Sequence, residues 1–263
     1  MKAGLKTVLE ELKRVDEDNL ISVFVPSKPG YINYKPLTMS HQKAIIKTAL
    51  DPSATNIDYN ISINNMLRTI TDEGEILVSD KPAVLLALRA VNVDKTITID
   101  KDDTPVKVNL NSLISKYDQI QQTGDIQYTK KVTYNDITVK LRVPTLTIDT
   151  KFMKECKRYI KKSTSPEDVS GNIGEMYVYE IAKFIDSVQH TTYSESESGK
   201  LVNTVMFSQT DVKDCISIVE LLPMTLNKNI SDYITSVRND ESRYTTTDKD
   251  VEIPTDATLF AIE

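Results

Sequence analysis

Apolar residues recur at three- and four-residue spacing along most of this chain, the period of an α-helix, and between residues 96 and 147 the period drops to two. The first helical stripe is Leu5, Val8, Leu9, Leu12 and Val15, with Lys6, Glu10, Lys13 and Arg14 around the rest; it is expected to end at the acidic run Asp16-Glu17-Asp18. A helix this short is marginal alone, so it either packs on its own body or orders as an arm on a neighbouring subunit. Ile21-Ser22-Val23-Phe24-Val25 reads as a strand, Pro26-Ser27-Lys28-Pro29-Gly30 as a turn and Tyr31-Ile32-Asn33-Tyr34 as the return. Residues 39–50 form the next expected helix, capped by Thr38, with Ile45, Ile46 and Leu50 on the buried side. Tyr59, Ile63, Met66, Leu67 and Ile70 make another stripe, and Asp80 with Pro82 announces a helix carrying Leu85, Leu86, Leu88 and Val91.

In the alternating stretch, Ile97 and Ile99 answer Val106, Val108 and Leu110 around a turn at Asp100-Lys101-Asp102-Asp103-Thr104-Pro105. A short helical piece (Leu113, Ile114, Tyr117) follows. Residues 126–134 and 137–143 then flank Asn135-Asp136, which tolerate the positive φ of a tight hairpin. Helical spacing returns with Phe152, Cys156, Tyr159 and Ile160, and again with Ile173, Tyr177, Ile181, Phe184, Ile185 and Val188, read as one long helix. Thr191 to Lys200, rich in Ser, Glu and Thr, is expected to be a mobile loop. From Val205 to Val237 the pattern gives two helices divided at Pro223, one with Val212, Cys215, Ile216, Val219 and Leu222 on a single face, the other with Leu226, Ile230, Tyr233, Ile234 and Val237. The expected fold is α+β, a mainly helical body with a short N-terminal hairpin and a β-rich insert. Its parts are an amphipathic helical arm (1–20), a strand-plus-helices part of the body (21–95), the hairpin insert (96–147) and a C-terminal helical part (148–263).

Composition narrows the function classes. With 40% hydrophobic and 27% charged residues the chain can build ordinary cores, while its 7 glycines leave little material for phosphate-cradling loops. A net charge of −6 sets the overall field against nucleic acid and anionic lipid, and no specific nucleic-acid partner is expected. No run of apolar residues is long enough to span a bilayer, and no leader-like segment opens the chain, so synthesis and retention in the cytoplasm are expected unless an assembly carries the protein elsewhere. Cys156 and Cys215 lie on apolar helical faces without Cys-x-x-Cys spacing, which favours reduced core thiols over a disulfide.

Candidate chemistry is sparse. His41 at a helix start and His190 at an expected helix end suit capping or surface roles, and no zinc, cofactor or small-molecule substrate is expected. Asp100, Asp102 and Asp103 lack the glycine and terminal glutamate of a calcium loop. Gly171-Asn172-Ile173-Gly174 has the spacing of an RNA-clamping loop but acidic flanks, so it reads as helix-entry chemistry. Lys151, Lys154, Arg158 and Lys161, with Lys157 and Lys162 beside them, form a basic stripe that is either a solvated face or a docking face for an acidic neighbour. No catalytic residue is assigned. The candidate partner-interface residues are Leu5, Val8, Leu9, Leu12, Lys151, Lys154, Arg158 and Lys161.

Two segments carry a resemblance. Phe24-Val25-Pro26-Ser27, then Tyr34-Lys35-Pro36-Leu37-Thr38 before a polar helix start, and later Glu220-Leu221-Leu222-Pro223, Ile230, Tyr233-Ile234, Val237, Ile253 and Thr258-Leu259-Phe260, together resemble the T4-type bacteriophage baseplate hub family. The resemblance covers about residues 24–93 and 205–260, and the helix at 5–15 looks like an extension to the family's opening module. It implies a structural subunit of the baseplate hub of a contractile tail, a non-enzyme found in the virion and, during assembly, in the host cytoplasm. The implied partners are other hub and tail proteins, with the tape-measure protein as a further candidate. Two rival readings are a tail-assembly chaperone absent from the finished particle and a cell-wall hydrolase using acids such as Glu175 and Glu180.

Overall fold

A computed structural model describes residues 3–51, 53–71, 74–123, 126–160, 166–193, 200–247, 251–255 and 259. The fold is α+β, with helices predominating and all strand pairing antiparallel. The chain divides into two compact units, Met1–Asp125 with Glu241–Glu263, and Ile126–Asp240.

The first unit opens with helix α1 (Ala3–Asp18), which runs through the acidic residues expected to end it. Strands β1 (Ile21–Phe24) and β2 (Tyr31–Tyr34) form the expected hairpin, paired from Ile21 with Tyr34 to Phe24 with Tyr31. Gly30, at φ 94°, supplies the left-handed residue that turns the chain into β2. Helix α2 (Met39–Ala49) starts at Thr38, whose backbone N–H donates to His41 Nδ1 at 3.1 Å, so His41 is a capping residue. Its buried side is narrower than the spacing suggests. Ile45 is buried, whereas Ile46 and Leu50 are exposed, because one inward residue on so short a helix suffices to seat it.

Helix α3 (Asn56–Ile70) buries Ile63, Met66, Leu67 and Ile70, and Tyr59 is half-buried. The bridge between Tyr34 and Thr71 ties its end to β2. Helix α4 (Lys81–Asn92) is the centre of this unit: every residue from Lys81 to Ala90 is buried, not a single face, while Val91 is exposed. Two cations come inside with it, each with a polar partner, Lys81 donating to Asn60 Oδ1 at 2.6 Å and Arg89 to the Leu259 carbonyl. Strands β3 (Thr96–Lys101) and β4 (Thr104–Asn109) form a two-stranded hairpin, and α5 (Leu110–Thr123) follows. The turn is tighter than expected, only Asp102 and Asp103 at φ 51° and 60°, and Pro105 sits in β4 opposite Asp100.

The second unit is built on a four-stranded sheet in the order β5-β6-β7-β8. Strands β5 (Thr129–Tyr134) and β6 (Ile137–Arg142) are the expected hairpin, with Asn135 at φ 50° in its turn. The β-rich stretch 96–147 thus places its two hairpins in different units. Helix α6 (Leu146–Ile160) buries Phe152 and Cys156, and α7 (Pro166–Lys183) buries Tyr179, Ile181 and Ala182. The expected continuation of α7 to Val188 does not occur. The backbone turns at Phe184 and becomes β7 (Ile185–Tyr193), which pairs with β6 on one side and with β8 (Lys200–Met206) on the other. His190 accordingly lies exposed on a strand, not at a helix end. The loop expected at 191–200 is strand at Thr191–Tyr193 and at Lys200, and 194–199 lie outside the described residues. Gly171 to Gly174 lie inside α7, not at its entry.

The pair of helices around Pro223 forms as expected, except that Val205 and Met206 belong to β8 and the first helix starts only at Val212. Helix α8 (Val212–Glu220) is capped by Asp211, which accepts from the Lys213 N–H at 2.9 Å, and α9 (Met224–Thr245) begins after Pro223. Val212, Cys215, Ile216, Val219 and Leu222, and then Leu226, Ile230, Tyr233, Ile234 and Val237, are all buried. Removing each such side chain from water contributes about 1.5–3 kcal/mol, which is what holds both helices in this unit's core. The Phe184 and Tyr233 rings meet edge to face at 6.3 Å, and the Tyr233 hydroxyl donates to the Gln127 carbonyl at 3.0 Å.

Candidate partner interfaces

The α1 stripe is presented to solvent. Leu5, Val8, Leu9 and Leu12 are 51%, 55%, 41% and 57% exposed, and every residue from Leu5 to Leu12 is exposed with them. Good helix formers and the Lys6–Glu10 pair at 3.9 Å, four residues apart, favour the helix locally by a small margin. An isolated exposed leucine means little, but four aliphatic side chains aligned at helical spacing make a contiguous apolar strip of the kind that marks a protein contact.

The basic stripe on α6 is partly engaged by its own unit. Lys151 is exposed and donates to the Thr210 carbonyl at 3.2 Å, and Arg158 pairs with Glu155 at 2.8 Å, three residues earlier. Lys154 is exposed, and Lys161 lies outside the described residues. The structure therefore brings three of the four cations onto one exposed helix surface, two of them already bonded.

A polar cluster between α6 and α7, buried at Asp149 and opening to solvent at Arg238, was not expected from spacing along the chain. Lys183 lies 2.8 Å from Asp149 and 2.7 Å from Glu180, and Glu180 also holds Arg238 of α9 at 2.5 Å. Burial alone would push the Lys183 ammonium down, but the two carboxylates outweigh it and hold the ammonium above its ordinary range. Nearby, burial first and then the negative field of Glu175 and Glu180 push the Cys156 thiol up, and burial pushes Tyr179 up to about 12. Burial likewise pushes Cys215 up to about 11. Both thiols are free and buried, and a thiol kept protonated is a poor nucleophile and a poor metal ligand. The cluster is chemically a set of ties between helices: its charges neutralise one another and the neighbouring Cys156 thiol is quiet. A signal for it existed in the Glu180-x-x-Lys183 spacing, but Asp149 and Arg238 join it only through the fold.

Among the described residues, no group of His, Cys, Asp and Glu side chains is arranged to hold a metal ion, and no helix is long and apolar enough to cross a membrane. The segments that carry the family resemblance are largely interior: Phe24, Val25, Tyr34, Leu222, Ile230, Tyr233, Ile253 and Leu259 are buried, whereas Leu221 is 85% exposed. Thr258 and Phe260 lie outside the described residues. No family model, no characterised protein and no solved structure matches this chain.

Proposed function

We propose that this protein is a structural subunit of the baseplate hub of a contractile bacteriophage tail, acting through protein–protein contacts while the hub is built. The hub assignment follows the resemblance of residues 24–93 and 205–260, and the observation that supports a contact-making role is the α1 face, with Leu5, Val8, Leu9 and Leu12 exposed to solvent. Each side chain is already about half covered, so burying the remainder would contribute on the order of 1 kcal/mol apiece, less the cost of docking, which favours a neighbour in an assembly. The order and spacing of the hub-like segments support the same reading: Ser27 is fastened by Asp80, and Leu222 and Tyr233 sit in the α8–α9 core. The partners are other hub and tail proteins, the tape-measure protein among them, and the location is the virion, with the host cytoplasm as the place of assembly.

Quantitative mass spectrometry of purified particles tests this directly. A stoichiometric amount of the chain is expected; its absence from particles whose assembly needs it would hand the function to the chaperone reading. A hydrolase reading finds less support, since both Glu180 carboxylate oxygens are taken up by Lys183 and Arg238.

A further inference from the structure

The sheet of the second unit ends in two unlike edges. At one end β5 (Thr129–Tyr134) carries Lys130 and Lys131, the charged side chains that discourage another strand from adding. At the other end β8 (Lys200–Met206) has no such protection past its first residue. Leu201, Val202, Asn203, Thr204, Val205 and Met206 form an uncharged run, and all six are exposed. Four of them are large and apolar, Leu201 at 56%, Val202 at 45%, Val205 at 40% and Met206 at 36%. The strand contains no proline, and its pairing with β7 runs without a shift from Ser187 opposite Met206 to Tyr193 opposite Lys200, unlike the β6–β7 pairing, which shifts at Lys140/Leu141. Bulges, prolines and charges are the usual means of blunting an edge, and β8 uses none of them between Leu201 and Met206. Its outer row of backbone N–H and C=O groups is therefore aligned for a further strand.

We propose that β8 is a self-association edge, on which the β8 of a second copy of this chain pairs antiparallel about a two-fold axis through Asn203. The strand's own sequence selects that occupant. In this register Leu201 of one copy stands opposite Val205 of the other, and Val205 opposite Leu201, so two aliphatic pairs form on one face with Asn203 meeting Asn203 between them at the axis. On the opposite face Val202 meets Thr204. No charged side chain within Leu201–Met206 faces another. A symmetric contact of this kind closes on itself and joins two four-stranded sheets into one, whereas pairing β8 on the lysine-bearing β5 edge would be heterologous and open-ended. Pairing through β8 is independent of the hub assignment, because it involves neither α1 nor any tail partner.

The test uses the full chain and follows its association state by sedimentation over a wide concentration range, with hydrogen exchange at the β8 amides as the local readout. The unaltered protein is expected to dimerise, and its outward β8 amides to become protected as it does. Leu201→Lys with Val205→Lys places like charges opposite each other at both aliphatic pairs, as does Leu201→Glu with Val205→Glu; each variant is expected to self-associate about tenfold or more weakly. Mixed together, the lysine and glutamate variants should form a heterodimer, because at both pairs each introduced ammonium would then face an introduced carboxylate. A monomer at every concentration with unchanged β8 exchange overturns the proposal. So does a dimer that both charged variants leave intact. The exchange measurement needs no substitution, so it decides the matter even where a variant folds poorly.

Discussion

Lys183, at the last turn of α7, donates across 2.8 Å to Asp149 in the first turn of α6, with the carboxylate buried and the ammonium largely so. This contact fastens α6 to α7, and it extends through Glu180 to Arg238 of α9. The interior of the second unit is thus fixed by a polar tie as well as by packing.

Replacing Lys183 by Met removes the ammonium and leaves the Asp149 carboxylate buried beside an apolar chain. The expected loss is about 3–5 kcal/mol, the usual consequence of breaking one side of a buried ion pair, and urea unfolding measures it. The pH dependence has a definite sign. The folded-state pKa of Lys183 is raised above its ordinary 10.5, so its contribution is complete below that value and is lost as pH rises through the folded value. The Met variant should lack this alkaline step; an identical alkaline profile in both proteins would show that the pair contributes nothing.

Asp80 ties the β1–β2 turn to the start of α4. It accepts from the Ser27 N–H at 3.0 Å and from the Leu77 N–H at 3.4 Å, and the Ser27 hydroxyl bonds its second oxygen. Ser27→Ala should destabilise the protein by about 1–3 kcal/mol, because it withdraws a donor from a buried carboxylate. Burial pushes Asp80 above 3.8, against the opposing pull of the Ser27 and Leu77 bonds and of Lys28. The folded chain then holds this proton more tightly than the unfolded one. The contribution of Asp80 should therefore decline as pH rises from 3.8 through its folded value, and Asp80→Asn should abolish that trend. Acid-range denaturation of the two proteins side by side gives the sign.

The two thiols offer a direct probe of the core. Cys215 is pushed up to about 11 and Cys156 upward as well, both chiefly by burial. In the native protein at neutral pH, reaction with a disulfide reagent should be slow for both, and two thiols should appear when denaturant is added. Fast modification of the native protein would mean that the α6 and α8 faces open readily.

The α1 face separates assembly from folding. Leu5→Glu together with Leu9→Glu alters only exposed positions, so the stability should change by no more than about 0.5 kcal/mol per substitution. Incorporation into particles should fall sharply. Normal particle yield with stoichiometric incorporation of the variant would show that the α1 face makes no contact the assembly needs.

Helical periodicity located α1 to α4 and α8 to α9, because a helix closes its hydrogen bonds locally, although the spacing did not tell that α4 is buried all round or that the α1 stripe faces solvent. The same periodicity misled at Phe184, Ile185 and Val188. Those spacings fit a helix, yet the backbone there completes a ladder with β6, whose residues lie far earlier in the chain, and with β8 beyond it. A strand's partners are non-local, and a window of sequence carries no record of them. The candidate interfaces were legible to the same degree: the α1 stripe needed only spacing, whereas the engagement of Lys151 by the Thr210 carbonyl depended on where α8's entry came to rest.

Local choices were written into the residues themselves. Thr38 and Asp211 could start helices, Asn135 could turn a hairpin, Pro223 had to part α8 from α9, and the stripe from Val212 to Val237 had to go inside. Groups with competing options were buried or paired only as the folded chain dictated. Arg89 went inside to the Leu259 carbonyl, Lys183 was set between two acids, α4 was enclosed on every side and β8 was left as an open edge. The difference is one of range: capping, turn and helix energies act within a few residues, while burial of a charge or closure of a sheet depends on partners that become neighbours only when the chain has folded.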